Sequence, residues 1–396
     1  MVRFGSLSIA AFVNCSVRPS SSRCFLYNKL DINASKIPIS KIPIGSRICS
    51  STTKLSSSSE NTYQEEHQSF SNRKFYVLHS DGDDVSQIEQ EISSGLSIPI
   101  ISQSQQYLEA YVSAYTHCIH VLPYEYGSLQ THAIGIQPVA TEPTKQRRRK
   151  KNSKRDQMQP IFIDFCPPLQ SNLGQRVGGK KQGGEMLLKA VAPGKYGNEI
   201  NGAIVFDLTA GFGQDSMILA SGKTAQVHMV ERDPIVALLL SDAMRRLKLI
   251  AETVENDDRA RDLVKKLSLH KDDAVGFCKR RLSEMNDGIF PMDARPHVCY
   301  LDPMFPPRKK SAAVKKNMQI LHGLFQTNEK MDFDDERQQE ERDLLNEALS
   351  LAKSRVVVKR PINAPPLGSP DDTKEDVCIP SFELKGSMNR FDVYIL

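Results

Sequence analysis

The sequence predicts an α/β fold built on a parallel sheet covered by helices on both faces, and three observations predict it. The stretch Ala203-Ile-Val-Phe-Asp207-Leu-Thr-Ala-Gly211-Phe-Gly213-Gln-Asp215 is an apolar run that ends in an acid and passes at once into a glycine loop. An amphipathic segment, Asp215 to Ala220, follows, so the whole reads as strand, tight turn and helix. Strand and helix patterns then keep alternating with short connections, which implies parallel strands crossed over by helices. Finally, the apolar run Val298-Cys-Tyr-Leu-Asp302 also closes on an acid. In such sheets the carboxyl ends of the strands line the ligand crevice.

Taken from its start, a chain of 396 residues suggests about two or three domains. Hydrophobic residues at 39% and charged residues at 25% are the proportions of an ordinary soluble globular protein. No run approaches the roughly 18 consecutive apolar residues of a membrane span. Residues 1–58 differ in kind, being rich in serine and carrying eight basic residues against the single acid Asp31. That composition is expected of an organelle transit peptide, for plastid or mitochondrial matrix. A disordered tail on a cytoplasmic protein is the alternative. The leader's positive balance exceeds the whole chain's +5, so the remainder is slightly acidic. Contact with nucleic acid must therefore use local patches rather than overall charge.

Residues 70–140 suggest a small α+β unit, with strands at Phe75–Leu78 and Cys118–Leu122 and either helix or strand at Tyr107–Thr116. A basic linker, 141–159, contains the run Lys145–Arg155 without an apolar residue. It reads as a solvated loop, with phosphate contact or a second address signal as the sharper alternatives. The main domain, 160–396, opens with a strand at Ile161–Phe165. The glycine-rich basic loop Arg176–Gly184 follows, either a phosphate cradle or a plain linker, and leads into a helix from about Glu185.

After the first glycine loop comes a strand at Ala225–Val230 ending in Glu231. Asp233 and Pro234 then make an N-cap and first-turn pair. Val236, Leu239, Leu240, Ala243, Leu247 and Ile250 recur at helical spacing and predict one buried face. A third strand, Leu267–His270, precedes Asp272 and Asp273, which face an adenine amine or cap the next helix, two readings that do not exclude each other. Further on, Arg337–Lys353 is an amphipathic helix, Arg355–Lys359 a strand and Arg390–Ile395 the last strand.

Two cofactor classes compete for the glycine loop. A dinucleotide fingerprint has G-x-G-x-x-G, whereas here the third glycine's place is held by Ser216. Asp207 precedes the loop, and Glu231 ends the second strand, where a carboxylate accepts from both ribose hydroxyls of NAD or of S-adenosylmethionine. The combination of Asp207, Gly211, Gly213 and Glu231 looks like the S-adenosylmethionine site of Rossmann-like methyltransferases. A glycine turn that merely joins strand to helix is the plainer reading. Eight cysteines without a C-x-x-C pair and nine histidines without H-E-x-x-H spacing give no metal site and no disulfide framework.

The run Asp302-Pro303-Met304-Phe305 resembles the [D/N]-P-P-[Y/F] signature of methyltransferases acting on exocyclic amines of nucleobases, with Met304 in place of the second proline. Such an amine shares its lone pair with the ring and attacks poorly unless acceptors orient its hydrogens and draw charge from it. Asp302 offers one acceptor, the Pro303 carbonyl another, and Phe305 a stacking face. Cations follow at Arg308, Lys309, Lys310, Lys315 and Lys316, and again at Lys359 and Arg360. They are expected to contact RNA phosphates, against the plainer reading of solvated surface.

Four segments together, Asp207–Asp215, Glu231–Leu239, Tyr300–Pro306 and Val356–Pro361, resemble the ribosomal RNA small subunit methyltransferase J family. The resemblance covers roughly Phe75 to Tyr394. It implies a Rossmann-like class I methyltransferase sheet with a small N-terminal α+β unit, S-adenosyl-L-methionine as cofactor, and transfer of methyl to the N2 amine of a guanine in small-subunit rRNA. The partner would be that rRNA or a ribosomal particle. Carried over by position, the family's cofactor contacts fall on Gln214, Asp215, Glu231, Arg232, Asp272, Asp273 and Asp302. Family members usually carry arginine where Gln214 stands and small polar residues where Asp272 and Asp273 stand. The leader and the basic insertion near Arg147 are extra, as expected of an organelle-directed eukaryotic version. A cofactor-binding ribosome-assembly factor with weak or no methylation is the alternative from another class.

Overall fold

The computed structural model describes residues 74–80, 85–102, 115–139, 159–178, 184–192, 202–222, 224, 226–303, 333–367 and 378–396. The leader 1–58, the basic run 145–155, most of Tyr107–Thr116, and the stretch with Met304, Phe305, Arg308, Lys309, Lys310, Lys315 and Lys316 lie outside the described residues.

Four strands form a first sheet: β1 (Phe75–His79), β2 (Ile100–Ser102), β3 (His117–Tyr126) and β4 (Leu129–Pro138), in the order β2-β1-β3-β4. β3 and β4 make a hairpin turning at Gly127, whose φ of +57° suits a residue without Cβ. Helix α1 (Gln87–Leu96) starts at a capping box in which Ser86 and Glu89 each satisfy the other's backbone N–H. Two short helices follow, α2 (Asn172–Val177) and α3 (Met186–Val191).

The second sheet alternates with helices as the sequence predicts. Its elements are β5 (Ile204–Asp207), α4 (Gln214–Ser221), β6 (Gln226–Glu231), α5 (Pro234–Thr253), α6 (Asp258–Lys266), β7 (Leu267–Lys271), α7 (Ala274–Asn286), β8 (Val298–Leu301), α8 (Phe333–Leu351), β9 (Arg355–Pro361), β10 (Phe382–Lys385) and β11 (Asn389–Ile395). The strand order is β7-β6-β5-β8-β9-β11-β10. Counted from β5 this is 3-2-1-4-5-7-6, whereas the dinucleotide-binding order ends 4-5-6. The difference is β11, which runs antiparallel to both β9 and β10. The turn from Gly386 to Met388 is too short for a parallel crossover and dictates that hairpin.

Successive side chains of a strand face opposite ways, and the core divides accordingly. Val205, Tyr300 and Val357 join one buried cluster with α3, α4, α5 and α6, while Phe206, Cys299, Leu301, Val356 and Val358 join another with α7 and α8. Both faces are covered, so β8 is buried at every position.

Two expectations are corrected. Ile161–Phe165 is not a strand: only Ile161 bridges, to Ile136, before the chain leaves the ladder. The reason is that the Ile163 carbonyl accepts from Arg246 and the Asp164 carboxylate from Cys166 N, interactions that hold the segment in irregular form. The segment Asp215–Ala220 is helical but not amphipathic, because Ser216 to Ala220 are all buried between the sheet and neighbouring helices. No helix among the described residues is long and apolar enough to cross a membrane.

Candidate cofactor and active site

The strand ends that the sequence singles out converge at one edge of the second sheet. β5 and β8 are neighbours in the middle of the sheet, and their successors in the chain diverge to opposite sides, so the crevice opens between them. The loop after β5 carries Gly211 at φ +52° and Gly213 at φ +67°. Their needs differ. A Cβ on Gly213 would stand 2.9 Å from both Leu240 and Phe165, so helix and loop pack there through a missing side chain. A Cβ on Gly211 would meet only the Thr209 carbonyl at 4.0 Å and would otherwise fill the open side of the loop.

Glu231, at the end of β6, ties two loops together. One oxygen accepts from Gly211 N at 2.8 Å and the other from Asp233 N at 2.8 Å. Each oxygen keeps a second lone pair for a hydroxyl. Burial raises its pKa to about 7, against those two N–H bonds, which favour the charge. Asp207 behaves differently from a ligand contact. It is 1% exposed, and its carboxylate accepts from the Ser216 hydroxyl and from Thr209 N. Its work is to hold the glycine loop on the helix that follows, and burial lifts its pKa to about 7. The place of a third glycine is thus taken by the serine that partners Asp207.

Beside this loop lies a cluster of charges from three elements. Lys359 Nζ, from β9, donates to Asp215 at 2.6 Å and to Asp302 at 2.7 Å. The buried Tyr300 hydroxyl donates to the same Asp215 oxygen at 2.7 Å, and Asp302 N donates to the Thr209 hydroxyl at 2.6 Å. Burial opposes the charge on Asp215, but the Lys359 ammonium and the hydrogen bonds hold its pKa below the usual carboxylate range. For Asp302, burial and the nearby Asp215 charge outweigh Lys359 and hold it above that range.

Lys359 and Arg360 need correcting as a pair of phosphate contacts. Adjacent strand residues face opposite ways, so Lys359 turns under α4 toward the carboxylates while Arg360 turns toward α8. Arg360 is 5% exposed, donates to the Pro365 carbonyl and faces Glu341. Arg360 is therefore not on the surface, while Lys359, partly exposed, is engaged by the two carboxylates. Arg176 closes bidentately on Glu185, with a guanidinium nitrogen 4.0 Å from Asp215.

The remaining sequence candidates sit around the rim. Gln214 is exposed at the first position of α4. Arg232 is exposed and lies 3.6 Å from Glu340. Asp273 caps α7 through Gly276 N at 2.9 Å, and Asp272 pairs with Arg280. Of the two readings left open for this pair, the capping role of Asp273 is realised. Tyr300, Thr209 and Ser216 were not singled out as site residues. Tyr300 reads in sequence as one more apolar core position, and only its place two residues before Asp302, on the same strand face, signals its reach. A cavity of about 930 Å³ elsewhere, lined by Tyr124, Phe162, Asp164 and Arg259 among others, includes none of these strand-end residues.

The donor set fits a cationic sulfonium nucleoside. Asp215 and Asp302 share one ammonium, which leaves the cluster one negative charge in excess, and Glu231 keeps acceptor capacity beside the open face of Gly211. Comparison with known proteins agrees. The family model described as "Putative SAM-dependent methyltransferase" matches residues 136–396. The ribosomal RNA small subunit methyltransferase J of Pseudoalteromonas atlantica is 38% identical over 236 residues, 60% of this chain and 77% of that protein. Its counterpart from Hydrogenovibrio crunogenus is 35% identical over 239 residues, 60% of this chain and 70% of that protein. A solved SAM-dependent methyltransferase from Neisseria gonorrhoeae, 24% identical, covers 81% of this chain and 96% of its own with a TM-score of 0.48. The chain belongs to the ribosomal RNA small subunit methyltransferase J family, and its cofactor is S-adenosylmethionine.

Proposed function

We propose that the protein transfers a methyl group from S-adenosylmethionine to the exocyclic N2 amine of a guanine in small-subunit ribosomal RNA. The observation that carries this reading is Asp302 at the end of β8, followed by Pro303 and held against the glycine loop through Thr209. The relatives' names, which specify small-subunit ribosomal RNA, support the substrate class. When bound, the cofactor supplies a methyl group on a positively charged sulfur that departs with the bonding pair. Gln214, Asp215, Glu231, Arg232 and the Asp272–Asp273 turn would hold it, with Gly211 and Gly213 shaping the loop.

The residues of the chain have two tasks: to bring the amine into line and to make it nucleophilic. Asp302 accepts one N–H of the amine and the Pro303 carbonyl accepts the other, which fixes the approach and draws charge onto nitrogen. A guanine inside a helix cannot reach the crevice, so the base is taken unpaired or flipped, with Phe305 offered as its stacking surface. The proton released from the amine leaves on the Asp302 side.

The substrate is the rRNA or a ribosomal particle, and residues 1–58 direct the protein to plastid or mitochondrion. Mass mapping of modified guanines in organelle small-subunit rRNA, with and without the protein, tests the whole reading. A single N2-methylguanine should vanish without it. An unchanged map, with S-adenosylmethionine still bound by the purified protein, would favour the assembly-factor alternative. A protein starting near Glu60 should methylate in vitro yet fail to enter the organelle.

A further inference from the structure

We infer that Lys359 is a positioning residue of the methylation site: its ammonium bridges Asp215 and Asp302 and thereby keeps Asp302 an ionised acceptor for the substrate amine. The inference rests on the amine substrate proposed above, and nothing in the sequence pattern sets this lysine apart from its basic neighbour. Register does. β8 and β9 run parallel with Leu301 beside Val358, so the next residue of each, Asp302 and Lys359, also stand side by side. Asp215 reaches the same nitrogen from the first turn of α4.

Two carboxylates within hydrogen-bond reach of one nitrogen repel each other, and without a cation between them one would take up a proton. The surroundings say which. Asp215 has a second donor in the Tyr300 hydroxyl and a nearby guanidinium in Arg176, although Glu185 already pairs with that cation. Asp302 has, among the described residues, only Lys359 as a side-chain donor to its carboxylate. Burial keeps the Tyr300 phenol protonated, so it supplies a hydrogen bond and no charge. Loss of the ammonium therefore falls on Asp302. A protonated Asp302 presents an O–H to the amine's own N–H and no longer draws charge from it.

The test combines two readouts on the full-length protein and its variants. In ¹³C-carboxyl NMR titrations, assigned with Asp302→Asn, Lys359→Met should raise the Asp302 titration by about one pH unit or more. In single-turnover methyl transfer to small-subunit RNA, the acid limb of the pH–rate profile should move up by the same amount, with rate recovering toward alkaline pH. Lys359→Arg should leave the limb in place. Adding Asp215→Asn to Lys359→Met should bring it back toward wild type, because the repulsion is gone.

An unmoved Asp302 titration in folded Lys359→Met, or a uniform loss of rate at every pH, would assign Lys359 to packing alone and overturn the inference. Should Lys359→Met not fold, Asp215→Asn alone decides: it must move the Asp302 titration to lower pH. If the wild-type protein transfers no methyl to small-subunit RNA, the substrate reading fails, while the NMR titration still judges the role of Lys359.

Discussion

Two of the places where carboxylates meet a cation are built for opposite ends. On α5, Asp242 and Arg246 are 3% and 1% exposed. Asp242 accepts from Ile134 N of β4 and from Arg246 Nε, both at 2.9 Å, and from Arg245 at 2.7 Å. Arg246 also donates to the Ile163 carbonyl and lies over the Tyr124 ring at 4.6 Å. Donors and acceptors are matched within the protein, and the four-stranded sheet is fastened to α5. At the strand ends, by contrast, the Asp302 side chain is 33% exposed and Lys359 22%. Its carboxylate retains acceptor capacity facing the crevice. The same chemistry makes a joint when saturated and a site when left open.

The largest expected effect tests the joint. Arg246→Ala leaves the buried Asp242 with Arg245 as its remaining cation and strips the Ile163 carbonyl of its donor, which should cost about 3–5 kcal/mol in urea unfolding. S-adenosylmethionine affinity of the folded fraction should be unchanged; a loss there would mean the two places are coupled. Next comes the site. Asp302→Asn should lower single-turnover transfer about 10²-fold or more, with urea stability close to wild type, and a large stability loss would make Asp302 part of the frame instead.

Glu231→Ala removes the acceptor for Gly211 and Asp233 as well as for the ribose. Calorimetry should show S-adenosylmethionine binding weaker by about 1.5–3 kcal/mol. Unchanged affinity would move the ribose elsewhere. The smallest effect settles Asp273: Asp273→Ala should cost about 1 kcal/mol of stability as a lost helix cap, and a parallel fall in cofactor affinity would show that it also touches adenine.

The strand ends were legible in the sequence because apolar runs closing on Asp207, Glu231 and Asp302 announce both the strand and the polar tip that faces a crevice. The partners of those acids were not. Tyr300 and Lys359 act through their register against α4, and register is a relation between strands rather than a property of either. Lys359 and Arg360 looked like one basic patch until the pleat sent them to opposite faces. The Asp242–Arg246 joint was hidden because i,i+4 charges on a helix ordinarily mark a solvated face. β10 escaped notice as an edge strand with mostly exposed side chains. Ile161–Phe165 misled in the other direction, having apolar residues for a strand but polar neighbours that claim its backbone.

The insertion of β11 between β9 and β10 has a consequence for the making of the protein. Folding during synthesis proceeds from the N-terminal side, yet this strand, late in the chain, lies inside the sheet. Until residues 389–395 leave the ribosome, β9 has one open edge and β10 has no strand to pair with. β9 also carries Lys359, so the nascent crevice depends on a strand whose outer flank is still bare. Bare flanks of this kind recruit other chains. A product truncated before residue 389 would keep its cofactor loop but leave that flank of β9 bare, so closing the sheet with β11 also guards it against aggregation.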